Sequence, residues 1–131
     1  MAQQAEPAIR TVPMPSDANS NGDIFGGWVL SQMDIAGGTI AARRCRGRVA
    51  TVAIDAMTFK RPIAVGDIVS IYGEVERVGR TSITVRLETI VQRRVLAEEI
   101  SVTEGTFVYV AIDENGRSRP IDPEQAKRAG P

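Results

Sequence analysis

The stretch GGWVLSQMDIAGGTIAARRCR, residues 26–46, decides how the chain is built. Val29, Met33, Ala36, Gly37 and Ile40 recur in it at three- and four-residue spacing, the period of a helix with one buried face. Asp23 stands ahead of the helix, where its positive end favours an acid, and Arg43, Arg44 and Arg46 suit the negative end. Upstream, SDANSNGD (16–23) is rich in turn formers and reads as a loop. PAIRTVPM (7–14) reads as an edge strand broken by Pro13 and Pro15.

After Gly47 the period falls from three and four residues to two. RVATVAIDAMTF (48–59), DIVSIYGEVERV (67–78), TSITVRLETIVQRR (81–94) and EEISVTEGTFVYVAI (98–112) are rich in Val, Ile and Thr, as strands are. Ile83, Val85 and Leu87 alternate with Thr84, Arg86 and Glu88, which implies one buried face and one wetter face. Short links such as VGRTS (78–82) predict antiparallel neighbours. Residues 113–131 (DENGRSRPIDPEQAKRAGP) read as an exposed tail. The order is therefore strand, long helix, four long strands: an α+β domain whose sheet wraps the helix. One helix covers only one face of such a sheet, so a second copy of the chain is expected to extend or cover it.

Composition narrows the chemistry. The 131 residues suit one domain spanning 1–131. Sixteen basic and sixteen acidic residues give no net field, so neither nucleic acid nor an anionic membrane is the expected partner. No apolar run reaches the roughly 20 residues of a membrane span, and MAQQAEPAIR is unlike a signal peptide. A single cysteine, Cys45, makes no internal disulfide and fits the cytoplasm. The chain has no histidine, which removes Ser-His and Cys-His nucleophile pairs and His-rich zinc sites, so no metal or other cofactor is expected. Acid–base work is left to carboxylates, lysine, tyrosine or backbone dipoles.

Among those, Asp34 is conspicuous. It stands among Val29, Leu30, Met33 and Ile35, where a carboxylate is costly unless solvated or hydrogen-bonded. A water-facing or interface aspartate explains its position about as well as a catalytic one. Gly26 and Gly27 open the helix, so their N–H groups can approach a ligand in the positive field of its end, an arrangement suited to an oxyanion; a plain tight turn uses glycine equally well. Gly37 and Gly38 cost about 1 kcal/mol each relative to alanine inside a helix, and close packing is the expected reason for them. Gly26 and Asp34 lie eight residues apart, roughly 12 Å along one helix. If both act on one carbonyl, they come from two chains meeting across a two-fold axis.

MPSDANSNGDIFGGWVLSQMD (14–34), TVAIDAMTFKRPIAVGDIV (51–69), VGRTS (78–82) and NGRSRPI (115–121) together resemble the hotdog-fold acyl-CoA thioesterases, in particular the small bacterial YciA type. The resemblance implies a long central helix wrapped by an antiparallel sheet of about five or six strands, and hydrolysis of acyl-CoA to CoA and a free acid. It assigns Asp34 as general base or nucleophile, the Gly26 N–H of the opposite subunit as oxyanion donor, and Asn19 as a positioner of substrate or water. Phe25 stands where some relatives carry histidine. Phe25, Gly27, Arg61, Gly79, Arg80, Thr81 and Ser82 become candidate substrate or CoA contacts, while arginines 43, 44, 46 and 48 are read as mainly structural. It further implies a homodimer with shared sites, commonly a trimer of dimers. A non-hydrolytic acyl-CoA sensor on the same fold is the alternative, disfavoured by the retained Asp34 carboxylate. A dehydratase of this fold needs a histidine that the chain lacks.

Overall fold

The computed structural model describes residues 6–93 and 98–122. Its elements are β1 (Ile9–Thr11), α1 (Gly26–Cys45), β2 (Val49–Phe59), β3 (Ile68–Val78), β4 (Ser82–Gln92) and β5 (Glu99–Ala111). The five strands form one antiparallel sheet in the order β1-β3-β4-β5-β2. α1 packs on one face of it, touching β2, β3, β4 and β5.

The helical spacing does what it predicts. Val29, Met33, Ala36 and Gly37 are buried against the sheet, together with Ala41 and Cys45. Opposite them, Ile83, Val85 and Leu87 of β4 and Phe107 and Tyr109 of β5 fill the core. Gly73, Leu87 and Gly105 lie side by side on β3, β4 and β5. A Cβ at Gly73 would fall 2.6 Å from Leu87 and 2.7 Å from Ile40. The glycine thus lets the helix and the Leu87 side chain close down on the sheet. The alternation expected along β4 is incomplete: Thr84 is buried too, so the face away from the helix is drier there than its sequence implied.

The segment expected to be an exposed tail is exposed at residues 114–118 but folds back onto the domain through residue 122. Ile112 bridges to Ser118 around a turn at Asp113–Arg117, and Ile121 is buried. Arg119 donates from its guanidinium to the Cys45 carbonyl at 2.8 Å, satisfying a carbonyl of the last helical turn. Arg44 makes a bidentate pair with Asp122, 3.1 Å at each contact. Polar turn residues hid this packing, because the partners lie more than 70 residues away. Residues 123–131 and Arg94, also assigned in the sequence reading, lie outside the described residues.

β2 differs from its neighbours. Residues 51–56 are all exposed, and the outer edge of this strand pairs with no other strand among the described residues. Its register with β5 shifts between Asp55 and Thr58, where Ala56 takes a left-handed φ of 51°, the mark of a bulge.

Candidate active site

The loop before α1 is fastened by its own polar groups. The Asn19 side-chain oxygen accepts the N–H groups of Asn21 (2.9 Å) and Asp23 (3.1 Å), closing the turn. The Phe25 N–H donates to the Asp17 carbonyl and the Ile24 N–H to the Ile63 carbonyl, which pins the start of the helix. Asn19 is thereby a scaffold of the loop, and only its amide nitrogen remains for a ligand. The next two N–H groups, of Gly26 and Gly27, meet no acceptor among the described residues. They are the orphan donors of a helix start, in its positive field.

Gly26 opens onto a cleft of about 290 Å³ lined by Ile24, Val29, Phe59, Lys60, Arg61, Pro62, Ile63 and Thr103. Ile24, Val29, Phe59, Pro62 and Ile63 make the lining mostly apolar, and Lys60 and Arg61 add basic groups to it. A second, wider hollow adjoins it, sharing Lys60 and Arg61 and bounded by Glu98, Glu99, Ile100 and Ser101. Lys60 is paired with Glu104, which also binds Arg86 at 3.0 Å. Lys60 first, then Arg86, holds the Glu104 carboxyl below its ordinary range against the opposing effect of burial. Because the folded value is depressed, this contribution to stability is complete above the ordinary carboxylate range and is lost as pH falls through the folded value. Glu104→Gln should therefore lower stability near neutral pH by about 1 kcal/mol or less, the gap closing as pH falls below the ordinary carboxylate range. Thermal melts of both proteins across pH check this.

Asp34 lies elsewhere, on the half-exposed side of α1. Its Oδ1 accepts hydrogen bonds from Thr51 Oγ1 at 2.7 Å and from Tyr109 Oη at 3.0 Å. Tyr109 Oη is equally close, 3.0 Å, to the Asp34 backbone carbonyl. Oδ2 accepts no hydrogen bond among the described residues. Burial first, and then the neighbouring Asp34 charge, raise the Tyr109 phenol far above its usual value, so it remains a donor. Neither Thr51 nor Tyr109 was singled out in the sequence. The one available signal was that a buried tyrosine hydroxyl needs a partner, and the sequence does not say which.

The structure brings Gly26, Phe59 and Arg61 together and leaves Asp34 out of their cleft. Phe25 is exposed beside them, and a Cβ on Gly27 would meet open space. Gly79, Arg80, Thr81 and Ser82 form the β3–β4 turn, with the Gly79 N–H donating to the Ser82 carbonyl at 2.7 Å and Ile121 bonded to the Arg80 carbonyl. This turn lies beside the start of β2, since Ala111 pairs with Val49 and bonds to Thr81, whereas Arg61 follows the end of β2. The length of that strand, roughly 30 Å, separates the two arginines within one chain.

A family model described as Thioesterase superfamily matches residues 21–98. The chain is 46% identical over 121 residues to the acyl-CoA thioester hydrolase YciA of Salmonella typhimurium, covering 90% of this chain and 91% of that protein. The chain belongs to the thioesterase superfamily, among the YciA-type acyl-CoA thioester hydrolases. Its fold is the hotdog fold. A hexameric hotdog fold thioesterase of Campylobacter jejuni superposes with a TM-score of 0.87 at 42% identity, covering 95% of this chain and 96% of that one. An aspartate-to-alanine mutant of a hexameric broad specificity acyl-coenzyme A thioesterase also superposes with a TM-score of 0.87, at 47% identity, covering 91% of this chain and 88% of that one. The architecture expected from the resemblance is thus the one found, with five strands.

Proposed function

We propose that the protein hydrolyses acyl-CoA thioesters, with Asp34 of one subunit and the Gly26 N–H of the partner subunit acting on one carbonyl. The observation that carries this reading is the Asp34 carboxylate, held through Oδ1 by two hydroxyls and with Oδ2 uncommitted. As a base, Asp34 takes a proton from water, whose oxygen bonds to the thioester carbon. The tetrahedral oxyanion is met by the Gly26 N–H, the C–S bond breaks, and the thiolate recovers the proton. As a nucleophile, a carboxylate oxygen attacks the carbon directly, the CoA thiolate leaves, and water opens the resulting anhydride. Neither route needs a metal or other cofactor.

Sharing between subunits follows from geometry. Gly26 and Asp34 lie on one continuous helix, roughly 12 Å apart. β2 offers an unpaired edge, flanked by exposed Phe25, Ile35, Val52, Ile54 and Phe59. Such an edge with such neighbours is a pairing surface. Thr51 touches Asp34, and Phe59 lies against Gly26. A two-fold pairing of β2 strands centred near Asp55 sets Thr51 of one subunit opposite Phe59 of the partner subunit, and so joins the two half-sites. Arg61, at the junction of the two hollows, is the candidate partner for CoA phosphates. Arg80 reaches the same nucleotide only from another subunit, and the hexameric state of similar thioesterases favours a trimer of dimers as the assembly. Its setting is the cytoplasm, where a lone buried Cys45 stays reduced.

Free-thiol release from short-, medium- and long-chain acyl-CoAs tests the activity; no release from any would favour an acyl-CoA sensor. The edge is tested by Val52→Lys with Ile54→Lys. Sizing should show a smaller species whose turnover falls at least tenfold, whereas an intact, fully active assembly would contradict the β2 interface.

A further inference from the structure

We infer that Thr51 and Tyr109 are positioning residues that commit Oδ2 of Asp34 to the reaction, an inference that rests on the hydrolase reading above. The two residues are direct cross-strand partners on β2 and β5, so the sheet presents their hydroxyls side by side. Each hydroxyl has one proton to give. Thr51 gives its proton to Oδ1, and Tyr109, 3.0 Å from both Oδ1 and the Asp34 carbonyl, shares its single proton between side chain and backbone. With Oδ1 engaged by two donors, Oδ2 is left to face water or the thioester.

The clamp is rigid on its sheet side. Tyr109 is 1% exposed and stacks on Phe107 with ring centroids 6.4 Å apart. The helix approaches it closely because residue 37 is glycine: a Cβ there would lie 2.3 Å from Tyr109 Oη. Gly37 is one helical turn beyond Asp34, so this close approach also sets the distance of the carboxylate from the tyrosine. A carboxylate with rotational freedom would present either oxygen over a wide arc. Fixing one oxygen supplies the orientation that a near-attack geometry requires.

The test uses Thr51→Val, Tyr109→Phe, the double variant and Thr51→Ser, beside wild type and Asp34→Asn. Tyr109→Phe removes one oxygen and keeps the stacked ring, so melting temperatures should stay close to wild type. Each single deletion should lower kcat by about ten- to a hundredfold with KM little changed. The double variant should fall by less than the product of the two, because both hydroxyls serve one atom. Thr51→Ser, which keeps the hydroxyl, should restore kcat to within about threefold of wild type. A double variant at wild-type kcat, or Thr51→Ser as slow as Thr51→Val, would overturn the inference. A full-rate double variant beside an inactive Asp34→Asn would overturn it alone. Absence of thiol release from wild type would overturn it together with the hydrolase reading.

Discussion

Asp34→Asn should lower thioester hydrolysis by about a thousandfold or more, with the fold and the assembly unchanged. Asparagine keeps the size of aspartate and an oxygen that accepts from Thr51 and Tyr109, so the contacts of the site survive. What it loses is charge: an amide neither takes a proton from water nor attacks the thioester carbon. Asp34→Ala should lose as much activity, although the Tyr109 hydroxyl keeps the residue-34 backbone carbonyl as an acceptor. Half-exposed Asp34 makes no ion pair among the described residues, so neither variant should melt much below wild type. Initial rates of thiol release, with sizing and a thermal melt of each protein, check both halves of the expectation.

Gly37→Val should damage stability and activity together. The added Cβ would sit 2.3 Å from Tyr109 Oη and 2.9 Å from Leu87, both fully packed. Valine gains only a few tenths of a kcal/mol in helix propensity over glycine. Overpacking a core site costs about 1–3 kcal/mol, so the clash wins and the variant should lose about 2 kcal/mol. With Tyr109 rigid in the sheet, relief comes by lifting the helix at residue 37, which also draws Asp34 away from the Tyr109 hydroxyl. Gly38→Ala is the control. Its nearest neighbour would be 3.7 Å away, so helix propensity dominates and stability should rise by up to about 1 kcal/mol. Denaturant unfolding of the pair, read with kcat, separates packing from propensity.

The helix, its buried stripe and the four long strands were legible because each is written in local periodicity. Val29, Met33 and Ala36 signal their face within a few residues, and Ile83, Val85 and Leu87 signal theirs. The close-packing reason for glycine was right for Gly37, while Gly38 has no tight neighbour. What stayed hidden depends on distant partners. Tyr109 meets Asp34 across 75 residues, and Arg119 caps the helix across 74. Nothing in DENGRSRPI announces that a guanidinium will reach a helix end, so this strap reads as a tail. Asn19 was legible as a turn former, and its side-chain oxygen is indeed used by the loop. The separation of Asp34 from the Gly26 cleft was foreseeable from helix rise alone, and it is the feature on which the shared site rests.

Complementation in mixed dimers tests that sharing most directly. Asp34→Asn removes the carboxylate, and Gly26→Pro deletes the proposed N–H at the first helical position, where proline is tolerated. Each variant alone should be nearly inactive. In a dimer of one with the other, one site pairs the intact Asp34 with the intact Gly26, and the second site lacks both. Unfolding and refolding an equal mixture should therefore restore about a quarter of wild-type activity, since half the dimers are mixed and each holds one working site. A mixture no more active than its separate components, with mixed dimers demonstrated by differential tags, would contradict an active site built from two chains.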